Sequence, residues 1–172
     1  MSAVAEKAEF LPTRESLIEK LKDLENQETW REFFDLYWKL IFGVALKSGF
    51  NYTEAEEVVQ ETIIAVSKSI ANFKRDPAAG QFKSWLLTIT YRRMNDLRRR
   101  RARDQAPLQA NAEIDAPSDE FEQIWDLEWK AAMKNSALEN LKRQVPPKHF
   151  QAFFLHVIKE IDRKSTRLNS SH

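Results

Sequence analysis

Apolar residues recur at intervals of three and four along most of this chain, the spacing of amphipathic helices. Leu17, Ile18, Leu21 and Leu24 share one face, and Ser16 with Glu19 offers a capping box, so a first helix is predicted over about 14–25. Trp30, Phe33, Phe34, Tyr37, Trp38, Ile41, Phe42 and Ala45 form a second stripe, with Gly49 placed for a left-handed C-terminal cap. Thr53 with Glu56 reads as a capping box for a third helix over about 54–71, whose stripe is Ala55, Val58, Val59, Thr62, Ile63, Val66 and Ile70. Asp76, Pro77 and Gly80 break the pattern and predict a loop over 72–80. A fourth helix follows over 81–103, with Phe82, Trp85, Leu86, Ile89, Met94 and Leu97 on its buried side. At 1.5 Å per residue it spans roughly 34 Å, long enough for its end to project beyond a small bundle.

Beyond it, 104–117 contains two prolines and no stripe, and reads as a linker. Ser118 is placed to cap a helix bearing Phe121, Ile124, Trp125, Ala132, Leu138 and Leu141, which Pro146-Pro147 ends. A last helix carries Phe150, Phe153, Phe154, Val157 and Ile158, an apolar face that requires a partner. The expected organisation is an N-terminal tail (1–13), a four-helix domain (14–103), an acidic linker (104–117) and the start of a second helical domain (118–161). Three glycines in 172 residues and few alternating β-branched runs agree with an all-α fold.

The net charge of +1 conceals a segregation along the chain. Seven arginines stand between positions 92 and 103 against one acid, Asp96, whereas 104–129 holds eight acids and no Lys or Arg. The chain has no cysteine, which removes disulfides and thiolate metal sites, and its N-terminus has no signal-peptide core. No run approaches the roughly 20 apolar residues of a membrane span, so the cytoplasm is the expected compartment. No glycine-rich phosphate loop, nucleophile setting or carboxylate cluster at metal-ligand spacing is present, and His149 and His156 lack a completing acid. An enzyme, a cofactor and a bound metal are not expected.

The fourth helix combines what single-stranded nucleic acid requires, aromatic faces for stacking and positive charge for phosphates. Clustered arginines repel one another without an anion, and too few acids lie four residues away to neutralise them. Arg92, Arg93, Arg99 and Arg100, with Asp96 pairing to an arginine or reading a base amino group, are the candidate strand-binding residues. Phe73, Lys74, Arg75, Gln81, Phe82, Lys83 and Trp85, in the loop and at the helix start, are the candidates for base capture; the bland reading makes Phe82 and Trp85 core residues. Glu54, Glu56, Glu57, Gln60 and Glu61 form the polar side of the third helix, a solvated face unless a partner docks there.

Residues 30–48, Glu56-Glu-Val-Val-Gln-Glu61, Phe73, and Phe82-Lys-Ser-Trp85 through Asn95-Asp-Leu-Arg98 together resemble region two of bacterial RNA polymerase sigma factors of the extracytoplasmic-function type. The resemblance covers about 14–103. It implies that Glu57, Val58, Val59, Gln60 and Glu61 dock on the clamp helices of the polymerase largest subunit, with Glu57 where aspartate is common. It implies further that 73–81 captures a base flipped from the promoter minus-ten element and that Arg92, Arg93 and Asp96 face the opened strand. An anti-sigma factor is a further partner such proteins take. The rival readings are an anti-sigma or adaptor-type helical interaction module, and a nonspecific single-stranded nucleic-acid binder.

Residues 138–160 resemble the opening of region four, the helix-turn-helix domain that reads the minus-thirty-five element, and the resemblance stops there. The stretch 162–172 has no apolar periodicity and reads codon for codon as a common sequencing-library adapter. The expectation is a natural reading frame truncated near Ile161 and a non-native tail, so that Arg163, Lys164 and Arg167 are no DNA-binding tail. Independent long-read sequencing of the source gene is expected to depart from this sequence after Ile161; a genomic copy encoding the tail overturns the expectation.

Overall fold

The computed structural model describes residues 14–74, 81–105 and 116–169, and among them the fold is all-α, with no strand. The chain divides into two compact units, 1–133 and 134–172.

In the first unit, α1 (Arg14–Leu21) buries Leu17, Ile18 and Leu21. It is already helical two residues before Ser16, so the expected Ser16 cap is not its start, and Glu19 instead pairs with Lys22 at 3.1 Å. A tight turn leads to α2 (Gln27–Lys47), where the Asn26 side chain accepts from the Thr29 amide at 3.1 Å. One face of α2 is fully interior: Phe33, Tyr37, Leu40, Ile41, Val44 and Ala45 are at most 1% exposed. Phe34, Trp38 and Phe42 follow the outer edge instead, Phe34 stacked on Trp38 and Trp38 edge-to-face with Phe42. Gly49 has φ 92°, the left-handed conformation expected after the helix end.

The next helix, α3 (Tyr52–Ser69), begins on a capping box two residues earlier than the one expected at Thr53. Asn51 Oδ1 accepts from the Glu54 amide at 3.0 Å, and the Glu54 carboxylate accepts from the Asn51 amide at 2.8 Å. Asparagine is as good an N-cap as threonine, and this register places Ala55, Val58, Val59, Thr62 and Val66 in the core. A 3-10 turn, Ile70–Asn72, ends the helix and turns Phe73 inward. Then α4 (Gln81–Gln105) buries Leu86, Thr90, Met94 and Leu97, and the Thr90 hydroxyl is satisfied by donating to the Leu86 carbonyl at 2.9 Å.

The division between the two units falls after Met133. The helix α5 (Asp119–Gln144) starts as expected, with the Ser118 hydroxyl accepting from the Phe121 amide at 3.2 Å. Its first part, however, belongs to the first unit, where Phe121, Trp125 and Trp129 are buried. These rings repeat every four residues and so form one stripe that closes on α2 and α4. Phe121 lies 4.9 Å from Tyr91, and Trp129 lies 5.6 Å from Tyr37, between ring centroids.

The second unit holds the end of α5, then α6 (Pro147–Phe153), a π-helical turn (Phe154–Ile158) and α7 (Lys159–Asn169). Pro147 takes the first helical position, where a missing amide hydrogen costs nothing. Phe153, Phe154, Leu155, Val157 and Ile161 are exposed. The stretch after Ile161, expected to be patternless, is helical to Asn169. Asp162 pairs with Lys134 at 2.9 Å.

The cap assignment has a direct consequence for stability. Asn51→Ala is expected to cost about 1 kcal/mol in urea unfolding followed by circular dichroism, and Thr53→Ala only a few tenths, because Thr53 already lies inside the helix. The reverse order would restore the Thr53 cap.

Candidate nucleic-acid interface

The helices α3 and α4 pack along one another, and this brings the acidic and basic faces into register. Arg100 pairs with Glu57 at 2.6 Å, and Arg101 pairs with Glu54. Arg98 donates to the Ser48 carbonyl at 3.2 Å and to the Asn95 side chain at 3.1 Å. The guanidinium carbons of Arg98 and Arg101 stand 4.9 and 5.7 Å from the centre of the buried Phe50 ring. Two of the arginines expected to lack counter-charges, Arg100 and Arg101, therefore find them, and these acids come from a different helix. No sequence spacing signals this, since the partners are more than forty positions apart.

Asp96 sits 3.4 Å from Arg93, the pairing considered for it from the sequence. Glu54, Glu57 and Asp96 thus offset three of the seven arginine charges. Arg92 and Arg103 are exposed and have no ion pair among the described residues, and Arg99 is half-buried. Partly exposed ion pairs are worth about 0–1 kcal/mol, so Arg100 and Arg101 remain exchangeable toward a phosphate, whereas Arg92 and Arg103 are available at no such cost.

At the other end of α4 the aromatic residues pack on one another. Phe73 lies 4.8 Å from Trp85 and 5.8 Å from Phe82, and Phe82 lies 5.7 Å from Tyr37. Phe73 is buried and Phe82 and Trp85 are half-buried, so the bland core reading holds for much of this cluster. Tilted and edge-to-face rings, partly removed from water, form a floor, and the face expected to be free on Phe73 is already used. Lys74 is exposed, and Lys83 is held at 2.5 Å by Asp126 of α5, a contact with no signal in the sequence. Arg75 and the side chain of Gln81 lie outside the described residues.

The candidate docking stretch divides likewise. Val58 and Val59 turn into the core at 1% and 5% exposure. Gln60 is exposed, Glu61 is half-buried, and Glu57 is shared with Arg100. The outward edge of α3 also carries Tyr52, Glu56 and Ile64.

Comparison with known proteins agrees with this arrangement. The family Sigma-70 region 2 matches residues 33–104. The ECF RNA polymerase sigma factor SigE of Mycolicibacterium smegmatis is 29% identical over 92 residues, which cover 54% of this chain and 34% of that protein. The chain thus matches about a third of the length of this curated relative. No solved structure matches significantly. The segment running through α2, α3 and α4 is therefore similar to Sigma-70 region 2.

Proposed function

We propose that this chain joins core RNA polymerase and directs transcription initiation at the promoter minus-ten element, without catalysing bond chemistry itself. The observation that carries the reading is the pairing of α3 with α4: a polar helix edge suited to docking and a basic helix suited to an opened strand are held side by side by Glu57–Arg100 and Glu54–Arg101. The region 2 match supports the same role.

In this reading Gln60 and Glu61, with Glu56 and Glu57 beside them, meet the clamp helices of the largest subunit. Val58 and Val59 fix the height and angle of that edge from below. Arg92, Arg93, Arg99 and Arg100 follow the phosphates, and the half-buried edges of Phe82 and Trp85, with Lys74 nearby, receive an extruded base. Extrusion costs a few kcal/mol, which stacking and hydrogen bonds must offset. An acidic edge such as that of α3 is also one an anti-sigma partner would compete for.

A pull-down with core polymerase tests the docking half. Gln60→Ala with Glu61→Ala is expected to weaken retention about tenfold or more, the effect of losing a hydrogen bond to a charged group; unchanged retention sinks the assignment. Anisotropy with a labelled single-stranded minus-ten oligonucleotide, read against salt, tests the other half. Arg92→Ala should lower the log–log salt slope by about 0.7, the single-strand value per phosphate. Arg101→Ala, already neutralised by Glu54, should change it little. Strand binding without polymerase docking would leave a nonspecific single-strand binder, and docking without strand binding an interaction module.

A further inference from the structure

The Phe82 ring, which the proposed function offers to an extruded base, is placed by neighbours on other helices. On α2 it meets Phe33 at 6.3 Å and Tyr37 at 5.7 Å between ring centroids, and past the end of α3 it meets Phe73 at 5.8 Å. Tyr37 is 1% exposed and is met in turn by Trp129 of α5 at 5.6 Å, which is itself buried beside Trp125 at 6.1 Å. One residue along from Phe82, the Lys83 ammonium is held by Asp126, three residues before Trp129. The first turn of α4 contains no acid, and Lys83 brings to it a charge of the wrong sign for a helix start. Asp126 supplies the carboxylate that this turn lacks. The same stretch of α5 is seated on α2, where Glu128 pairs with Lys47 and a methyl group on Gly43 would stand 2.6 Å from the Glu128 carboxylate.

We infer that Trp129 and Asp126 are positioning residues for base capture: Trp129, through Tyr37, sets the depth of the Phe82 ring, and Asp126, through Lys83, holds the turn that carries it. The inference rests on the proposed stacking of an extruded base on Phe82 and Trp85. At 3.6 residues per turn, Lys83 and Tyr91, where α5 meets α4 in an ion pair and a ring contact, lie on one side of α4, and Phe82, Trp85, Arg92 and Arg93 lie on the other. The first part of α5 therefore supports the strand face from behind and leaves it open. A ring that receives a base contributes most when it is already fixed, because any freedom it retains must be given up on binding. Phe82 is half-buried, so its exposed edge is useful only at the depth at which its buried side is stopped. Tyr37 is that stop. Without the Trp129 ring beside it a cavity opens, into which Tyr37 and then Phe82 can settle. The matched region 2 ends at residue 104, so the floor of the base site is completed by a segment outside it.

The test uses the full chain and two fluorescein-labelled single strands of equal length, a deoxyoligonucleotide of mixed sequence and its fully abasic counterpart, with binding read by anisotropy. Both carry the same phosphates, so the ratio of the two affinities reads base stacking and cancels charge. The unaltered chain should bind the base-bearing strand about tenfold more tightly, within the range for stacking a base on an aromatic ring, and Phe82→Ala should lose most of that ratio. Trp129→Leu should bring the ratio down to about two- to threefold and leave affinity for the abasic strand as it was. Trp129→Phe, which keeps a ring against Tyr37, should retain most of it. Asp126→Asn should lower the ratio about twofold, the scale of one exposed ion pair, and Asp126→Glu should not. An unchanged ratio in Trp129→Leu, or a loss shared equally by both strands, overturns the inference while leaving base capture in place. Should Trp129→Leu fail to fold by circular dichroism, Asp126→Asn decides alone, and an unchanged ratio there overturns it. If Phe82→Ala keeps the ratio, or the chain binds neither strand, the proposed base capture falls and the positioning roles fall with it.

Discussion

Tyr37 is the point on which the first unit is assembled. Its ring is buried on α2 and stands 4.8 Å from Phe33 on the same helix, 5.7 Å from Phe82 of α4 and 5.6 Å from Trp129 of α5. Three helices from distant parts of the chain meet there, and their mutual positions follow from how these rings fit. Aromatic pairs add about 0.5–1.5 kcal/mol each beyond the area they bury, so a cluster of this kind fixes relative placement as well as stability. The remaining side of α2 packs on α1 and α3. With α3 and α4 thus brought together, their polar faces meet as a consequence of core packing.

That meeting changes the chemistry of the basic helix. Seven arginines within twelve residues of one helix would repel one another in isolation. Here Glu54 and Glu57 lie across from Arg101 and Arg100, and Arg98 and Arg101 rest on Phe50. Part of the arginine run is therefore a clamp that ties the end of α4 to the start of α3, and part faces solvent. The same helix serves cohesion and presents positive charge, with the division set by which guanidinium groups reach a carboxylate. Its opposite end is treated similarly, with Lys83 held by Asp126 and the rings closed on one another.

The sequence by itself determined the helices, the core stripe and the region two resemblance. Periodicity reports which residues face inward, and it placed Phe33, Tyr37, Ile41, Val58, Val66, Leu86 and Met94 in the interior without reference to any partner. The left-handed Gly49 and the Ser118 cap were legible for the same reason, since a turn or cap is specified by a few adjacent residues. The α3 cap was misplaced by two residues because Thr53 and Asn51 both head an acceptable box, and local chemistry alone does not choose between them. Only the tertiary structure decided that the arginines are partly neutralised, that Phe73 faces inward, and that the aromatic half of α5 joins the first unit. Those are contacts between positions tens of residues apart, carried by charges and ring faces that could each have met water or another partner. Which of them met which follows from the packing of the helices in space, and that is not written in the spacing of residues along any one of them.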